Sequence, residues 1–181
     1  MKIYEEAENL VSRFKRLFVR DFQQKLYECN FFHIYFYTAR PFGGKIGDKD
    51  YSKEDYFQKV NTFIDAVGEQ SDVLLRLGEL LPRGNSFEQK GVDVQIGLDI
   101  ANLSLKRYVD TIIIFSFDTD LIPALDFARN NGIRVGVIVP ERIEGLERGN
   151  EIQSALKKLA PHIDFRVFFK MMYGEVLDGI F

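Results

Sequence analysis

Along this chain the spacing of apolar positions switches between two periods, and the switches mark its elements. Phe31-Phe32-His33-Ile34-Tyr35-Phe36-Tyr37 is an aromatic and β-branched run with the composition of a strand. Shorter apolar runs at Val73 to Leu77, Thr111 to Phe115, Ile133 to Val139 and Phe165 to Phe169 read the same way. Between them the spacing becomes helical. Leu10, Phe14, Leu17 and Phe18 predict a helix from about Asn9 to Lys25. Phe57, Val60 and Ile64 line a second helix, started by Ser52 with Glu54 and Asp55 in its first turn. Val92, Ile96, Ile100 and Leu103 form the stripe of a third, from about Gln89 to Arg107. Two shorter helices follow, Leu121 to Asn130, ended by Asn131-Gly132, and Glu151 to Leu159. Lys2 to Glu5 is a short candidate first strand, and the tail after Met171 has no assignable pattern.

Alternating strands and helices predict an α/β fold with a mostly parallel central sheet covered on both faces. The near-continuous run at Thr111 to Phe115 is expected at its centre, buried on both sides. Arg40 to Asp50, with Pro41, Gly43, Gly44 and Gly47, reads as a mobile surface loop. Gly78 is expected to close the strand before it, Pro82 to Ser86 to form a second loop, and Glu141 to Gly149 a third.

At 181 residues, with 46% apolar and 28% charged positions, the chain is expected to form one domain spanning residues 1–181. The net charge of −3 argues against broad, charge-driven binding of nucleic acid while allowing a local basic rim. The single cysteine, Cys29, permits no intrachain disulfide and suits a reducing cytoplasm. Positions 5, 6 and 8 are acidic and no apolar stretch reaches membrane length, so neither a signal peptide nor a membrane partner is expected.

Two motifs stand out against this background. Ser116-Phe117-Asp118-Thr119-Asp120 directly follows the apolar strand and places two carboxylates at its C-terminal end. In open α/β sheets ligands bind at that edge. Carboxylates gathered there without a dense basic set are hard oxygen ligands for Mg²⁺ or Mn²⁺. Thr119 or Asp120 can equally cap the next helix, and the two roles are compatible. Lys90-Gly91-Val92-Asp93 is the second motif. Asp93 either answers the helix dipole or binds a cation, and Lys90 either neutralises a phosphate or is solvated. Asp99, roughly 240° further round the helix, is a secondary candidate. Neither His33 nor His162 looks catalytic.

Taken together, Lys90-Gly91-Val92-Asp93, Leu98-Asp99-Ile100, Asp110 to Ile114 and Ser116 to Asp120 resemble the NYN domain. More narrowly they are similar to the bacterial LabA-like branch of the PIN-like nucleases. Pro123 and Gly132-Ile133-Arg134-Val135 fit the same pattern. The resemblance implies a PIN-like, Rossmannoid three-layer sandwich and a metal-dependent ribonuclease. Glu6, Asp93, Asp118 and Asp120 would be both the catalytic and the metal-binding residues, with Mg²⁺ or Mn²⁺ as cofactor. Asn9, Lys90, Ser116 and Thr119 would contact substrate, which is single-stranded RNA. A homodimer is left open. Glu6-Ala7-Glu8-Asn9 is the nearest match to the family's Asp-Gly-x-Asn, so Glu6 stands for Asp and Ala7 for Gly. Phe117 replaces a Gly and Leu121 a Phe. These departures point to the alternative function, a catalytically degenerate NYN-like domain that binds RNA or protein.

Substrate grip would come from Lys45, Lys49, Arg83, Lys90, Arg142 and Arg148, or from Arg13, Lys15, Arg16 and Arg20 on the first helix. A haloacid-dehalogenase-type phosphatase fits poorly, because that class places its nucleophilic Asp after the first strand and this pair follows the fourth. A nucleotide-binding Rossmann enzyme lacks its Gly-rich turn here.

Overall fold

Parallel pairing dominates the strands, as the alternation of elements requires. The structure, a computed structural model, describes residue 12 and residues 33 to 84, 86 to 140 and 149 to 169. The expected first strand at Lys2 to Glu5, the helix from Asn9 to Lys25, Phe31, Phe32, Cys29 and positions 141 to 148 lie outside the described residues, as do Glu6 and Asn9. The chain divides into two units, one ending at Ile96 and the other starting at Gly97. Both are mixed α/β, and the fold class is that of a PIN-like domain.

The first unit contains β1 (Ile34–Ala39), the short β2 (Lys45–Ile46) and β3 (Lys49–Asp50), α1 (Asp55–Gly68), β4 (Val73–Arg83) and β5 (Ser86–Lys90). β1 and β4 are parallel, with Ile34 opposite Val73 and Ala39 opposite Gly78. The apolar face of α1 puts Ala66 and Val67 against Val73, with Ile34, Phe36 and Phe63 packed around them. α1 begins later than expected. Asp50, not Ser52, is the first capping residue: its Oδ1 accepts from the Ser52 N–H at 3.2 Å and from the Ser52 hydroxyl at 2.6 Å. This fixes a short 3-10 turn at Tyr51–Lys53, and α1 then starts at Asp55. The Ser52 hydroxyl and then its N–H hold the Asp50 carboxyl below its usual range.

Two expected loops are ordered by pairing. Residues 45–46 and 49–50 form an antiparallel hairpin. Arg40 is tied down by Asn61 Oδ1 at 2.9 Å and Asp65 Oδ1 at 2.5 Å, so an arginine read as loop is anchored to α1. Gly78 does not end its strand. β4, 11 residues long, continues to Arg83 and turns back into β5, with Glu79 opposite Lys90 and Arg83 opposite Ser86. The glycine instead marks a close approach. A Cβ at Gly78 would lie 2.5 Å from the Lys90 carbonyl oxygen and 2.6 Å from Val92 Cγ2.

α2 (Val92–Lys106) follows β5 and runs across the division between the units. The second unit continues with β6 (Thr111–Ile114), α3 (Ile122–Asn130), β7 (Arg134–Pro140), α4 (Gly149–Leu159) and β8 (Phe165–Phe169). Its three strands are all parallel, in the order β6-β7-β8. Among the described residues β6 pairs with β7, which has β8 on its other side; the expectation that Thr111 to Phe115 is buried on both faces is corrected, since most of β6 is only half-buried. Burial follows the same order: Val135 through Pro140 are all buried, whereas in β6 only Ile114 is. Leu125 and Ala128 of α3 and Leu159 of α4 join Val135 and Val137 in this core.

One carboxylate anchors β8 to β7. Asp164 Oδ2 accepts from the Val135 N–H at 2.8 Å, and the Asp164 N–H donates to the Val135 carbonyl at 2.7 Å. Arg129 Nε reaches Asp164 Oδ1 at 3.1 Å, and its guanidinium also donates to the Pro161 carbonyl at 2.9 Å. His162 Nδ1 meets Asp126 Oδ1 at 2.7 Å. His162 is thus a packing residue, and His33 lies exposed just before β1. No described helix is long and apolar enough to cross a membrane.

Two outcomes follow from this packing. Gly78→Ala should lower stability by about 1–3 kcal/mol, as overpacking against fixed backbone does, read from the midpoint of a urea titration. Asp164→Ala should lose about 1–2 kcal/mol at neutral pH, the scale of a charged hydrogen bond discounted for partial exposure. The Val135 N–H first, and then Arg129, depress the Asp164 carboxyl below its ordinary 3.8. Its contribution is therefore full above that value and is lost as pH falls through the lower, folded value. Melting curves of the variant and the parent should converge in acid; a gap unchanged down to pH 2 would contradict this.

Candidate active site

The two motifs each occupy a junction between a strand and a helix. Lys90 is the last residue of β5, exposed and opposite Glu79, where the sequence pattern placed the start of a helix. Opposite charges facing across a ladder account for Lys90 as a strand residue. Gly91 has φ +85°, the left-handed region open to glycine, and turns the chain from strand to helix in one step. Its carbonyl accepts from the Gln95 N–H at 3.0 Å. The Gln95 side chain donates back to the Leu77 carbonyl at 2.9 Å, holding the start of α2 to β4. Asp93 is exposed in the first turn of α2, where the helix dipole favours a carboxylate. Asp99 is half-buried further along α2.

Ser116 to Asp120 forms the passage from β6 to α3. After Ile114 the chain leaves the ladder, and a 3-10 turn at Thr119–Leu121 leads into α3, whose first turn accommodates Pro123. Ser116 Oγ accepts from the Asp118 N–H at 3.2 Å. Asp118 Oδ1 in turn accepts from the Asp120 N–H at 2.9 Å. The cap is therefore Asp118, not Thr119 or Asp120 as expected, because the helical turn begins one residue early, at Thr119. Asp118 is half-buried; among the described residues nothing donates to its second oxygen, and no cation is paired with the exposed Asp120 carboxylate. The rings of Phe115 and Phe117 meet edge to face at 6.4 Å.

The first unit thus brings Lys90 and Asp93 to either side of Gly91, and the second brings Ser116, Asp118, Thr119 and Asp120 onto one turn at the C-terminal end of a parallel strand. Within either unit the described residues include no group of three or more His, Cys, Asp or Glu side chains placed to hold a metal. The oxygen donors of Asp118 and Asp120 suit Mg²⁺, which takes one or two carboxylates and fills the rest of its shell with water and phosphate oxygens.

The basic residues expected to grip substrate have neighbours of their own. Lys49 pairs with Glu54 at 2.7 Å and lies 4.5 Å over the Tyr51 ring. Arg83 pairs with Glu88 at 2.7 Å, and Lys45 comes within 3.9 Å of Asp50. The Lys49 and Arg83 pairs are exposed and worth little each, whereas the Asp50 side chain beside Lys45 is only 18% exposed. Arg142, Arg148 and the cluster Arg13, Lys15, Arg16 and Arg20 lie outside the described residues.

What sequence reasoning missed here is the capping role of Asp118. A Ser two residues before an Asp at a strand end is the signal that could have shown it, since both side chains readily bond the N–H two residues on. Asp118→Ala should cost about 1 kcal/mol of stability through the lost cap, while Asp118→Asn should keep nearly all of it. Equal losses in the two variants, read by thermal melts, would contradict the capping role.

The model of the NYN domain matches residues 9–159. The chain is 33% identical over 73 residues to the uncharacterized protein y4oD of Sinorhizobium fredii (strain NBRC 101917 / NGR234), a match covering 40% of this chain. It spans about a third of that relative's length (33%). No solved structure matches the chain. With strand-end carboxylates on a PIN-like fold and a family match over most of its length, the chain belongs to the NYN domain family.

Proposed function

We propose that this protein is a metal-dependent ribonuclease of the LabA-like branch, acting in the cytoplasm on single-stranded RNA, with residues 1–181 as one NYN domain. The observation that carries the reading is the Ser116–Asp120 turn: a fixed carboxylate with one oxygen still available, at the C-terminal end of a parallel strand, in a chain of the NYN family.

Glu6, Asp93, Asp118 and Asp120 would hold Mg²⁺ or Mn²⁺, which when bound polarises a phosphoryl oxygen and lowers the pKa of a water. The chain's own residues prepare the site. Ser116 fixes the Asp118 amide and the Asp120 amide fixes Asp118 Oδ1, so the carboxylate is oriented before any cation arrives. Lys90, at the end of β5, would neutralise a phosphate, while Asn9 and Thr119 would orient substrate or water. Lys45, Lys49 and Arg83 would exchange their carboxylate partners for the RNA backbone.

One observation favours the second reading, a catalytically degenerate domain that binds RNA or protein. Phe117, in place of the family's Gly, has its ring packed edge-on to Phe115, so the turn presents bulk where backbone would otherwise approach a ligand.

Purified protein given single-stranded RNA with Mn²⁺ or Mg²⁺ should cleave it slowly, and not in EDTA. Asp118→Asn, which keeps the cap, should lower the rate by more than the roughly 10–100-fold typical of changes around a metal's outer shell. Phe117→Gly should raise it. Cleavage equal in the parent and Asp118→Asn would mean a contaminating nuclease and would remove the hydrolytic reading. RNA binding with no cleavage by any variant would establish the binding module instead.

A further inference from the structure

Three aromatic rings from separate segments of the first unit meet at its surface. Phe42 follows the end of β1, Tyr51 opens the 3-10 turn before α1, and Phe87 belongs to β5. Ring centroids lie 5.8 Å apart for Phe42 and Tyr51, 5.5 Å for Phe42 and Phe87, and 5.3 Å for Tyr51 and Phe87. Gly44 makes room for the cluster, since a Cβ there would run into the Phe42 ring. A cluster that served only to hold a loop would bury its rings, because large apolar side chains gain most by leaving water. None of the three is buried, and Phe87 is 39% exposed.

Position and charge indicate what the rings meet. β1 ends at Ala39, opposite Gly78, and both Phe42 and the β4–β5 hairpin continue past that end. Ligands of open α/β sheets bind beyond the carboxyl ends of parallel strands. Lysines stand around the rings. Lys49 Nζ is 4.5 Å from the Tyr51 centroid, while Lys45 and Lys53 come within 3.9 Å and 3.8 Å of Asp50, the residue before Tyr51. Asp50 and Glu54 offset these cations, so the patch carries little net charge and does not hold a polyanion by its field alone. Aromatic rings beside a few cations are how single strands of nucleic acid are bound, since every base has a π face to stack.

We propose that Phe87 is a base-stacking subsite for single-stranded RNA, its plane set by Phe42 and Tyr51, with Lys49 beside it for a phosphate. The subsite rests on the reading of RNA as ligand and holds for a nuclease and for an RNA-binding module alike. Tyr51 meets the Phe87 ring at 81° and Phe42 meets it at 35°, so the ring is oriented before a base arrives. A ring already held in place loses little freedom on binding. Stacking needs no charge, so this contact supplies affinity that salt weakens little, in a chain whose net charge is −3.

Fluorescence anisotropy of a labelled oligoadenylate with the full chain in EDTA, where metal-dependent cleavage is silent, tests the subsite. Phe87→Leu keeps apolar bulk and removes the ring. Its melting temperature should stay within about 3 °C of the parent's, while the dissociation constant rises by about tenfold. Phe87→Tyr should bind as the parent does. In the parent, log affinity against log salt should fall with a slope no steeper than about −2, that of three phosphates or fewer. RNA carrying 5-iodouridine should photocross-link to the peptide that contains Phe87. Parent-like binding by Phe87→Leu, a steeper salt slope, or a parent that binds no RNA in EDTA would each overturn the subsite. In the last case cleavage with Mn²⁺ would leave the nuclease reading standing without it. Binding that depends on Phe87, with no cleavage under any condition, would support the subsite and remove the nuclease instead.

Discussion

The backbone N–H groups at the head of a helix need acceptors, and the route from β6 to α3 leaves few residues to supply them. β6 ends at Ile114 and helical turns begin at Thr119. Asp118 meets the need with one oxygen, and Ser116 holds the Asp118 amide in place. The consequence for chemistry is direct. A carboxylate bound by a backbone N–H is already oriented, and the oxygen left over is directed away from that bond. Structure and proposed catalysis therefore draw on the same side chain without competing for the same atom.

The other motif depends on close packing. Gly78 lets the Lys90 carbonyl and Val92 pass within the space a side chain would fill. That contact keeps the β4–β5 hairpin against the start of α2, where Gly91 makes the turn and Gln95 bonds back to Leu77. Lys90, Gly91 and Asp93 thus have distinct jobs: strand end, turn and helix start. The motif reads as one unit because the geometry between strand and helix leaves no spare residue.

The sequence was most informative where one physical cause acted alone. Strands at residues 34–39, 111–114, 134–140 and 165–169 fall where apolar runs predicted them, and α3 ends before Asn131-Gly132 as expected. Readings failed where glycine or asparagine-like chemistry has two meanings. Gly78 read as a strand end and is a close approach inside an 11-residue strand. Thr119 or Asp120 read as the cap of the next helix, and Asp118 is. Ser52 read as the cap, and Asp50 took that role through two bonds to it. The rank of strands was hidden for another reason. Thr111 to Phe115 and Ile133 to Val139 are equally apolar, and only the structure shows that β7 is buried from Val135 onward while β6 is buried at Ile114 alone. Of the candidate site, the turn carrying Ser116, Asp118, Thr119 and Asp120 was legible as a unit. Its hydrogen bonds were not, because they depend on which residue opens the helix.

The central claim is that Asp118 holds a divalent cation with the oxygen its cap leaves over. A crystal of the protein grown with Mn²⁺ and measured for anomalous scattering tests it most directly. The account predicts a peak about 2.1 Å from Asp118 Oδ2, with Oδ1 still accepting from the Asp120 N–H. No peak at that carboxylate, or a cation bound only at another part of the surface, would contradict it.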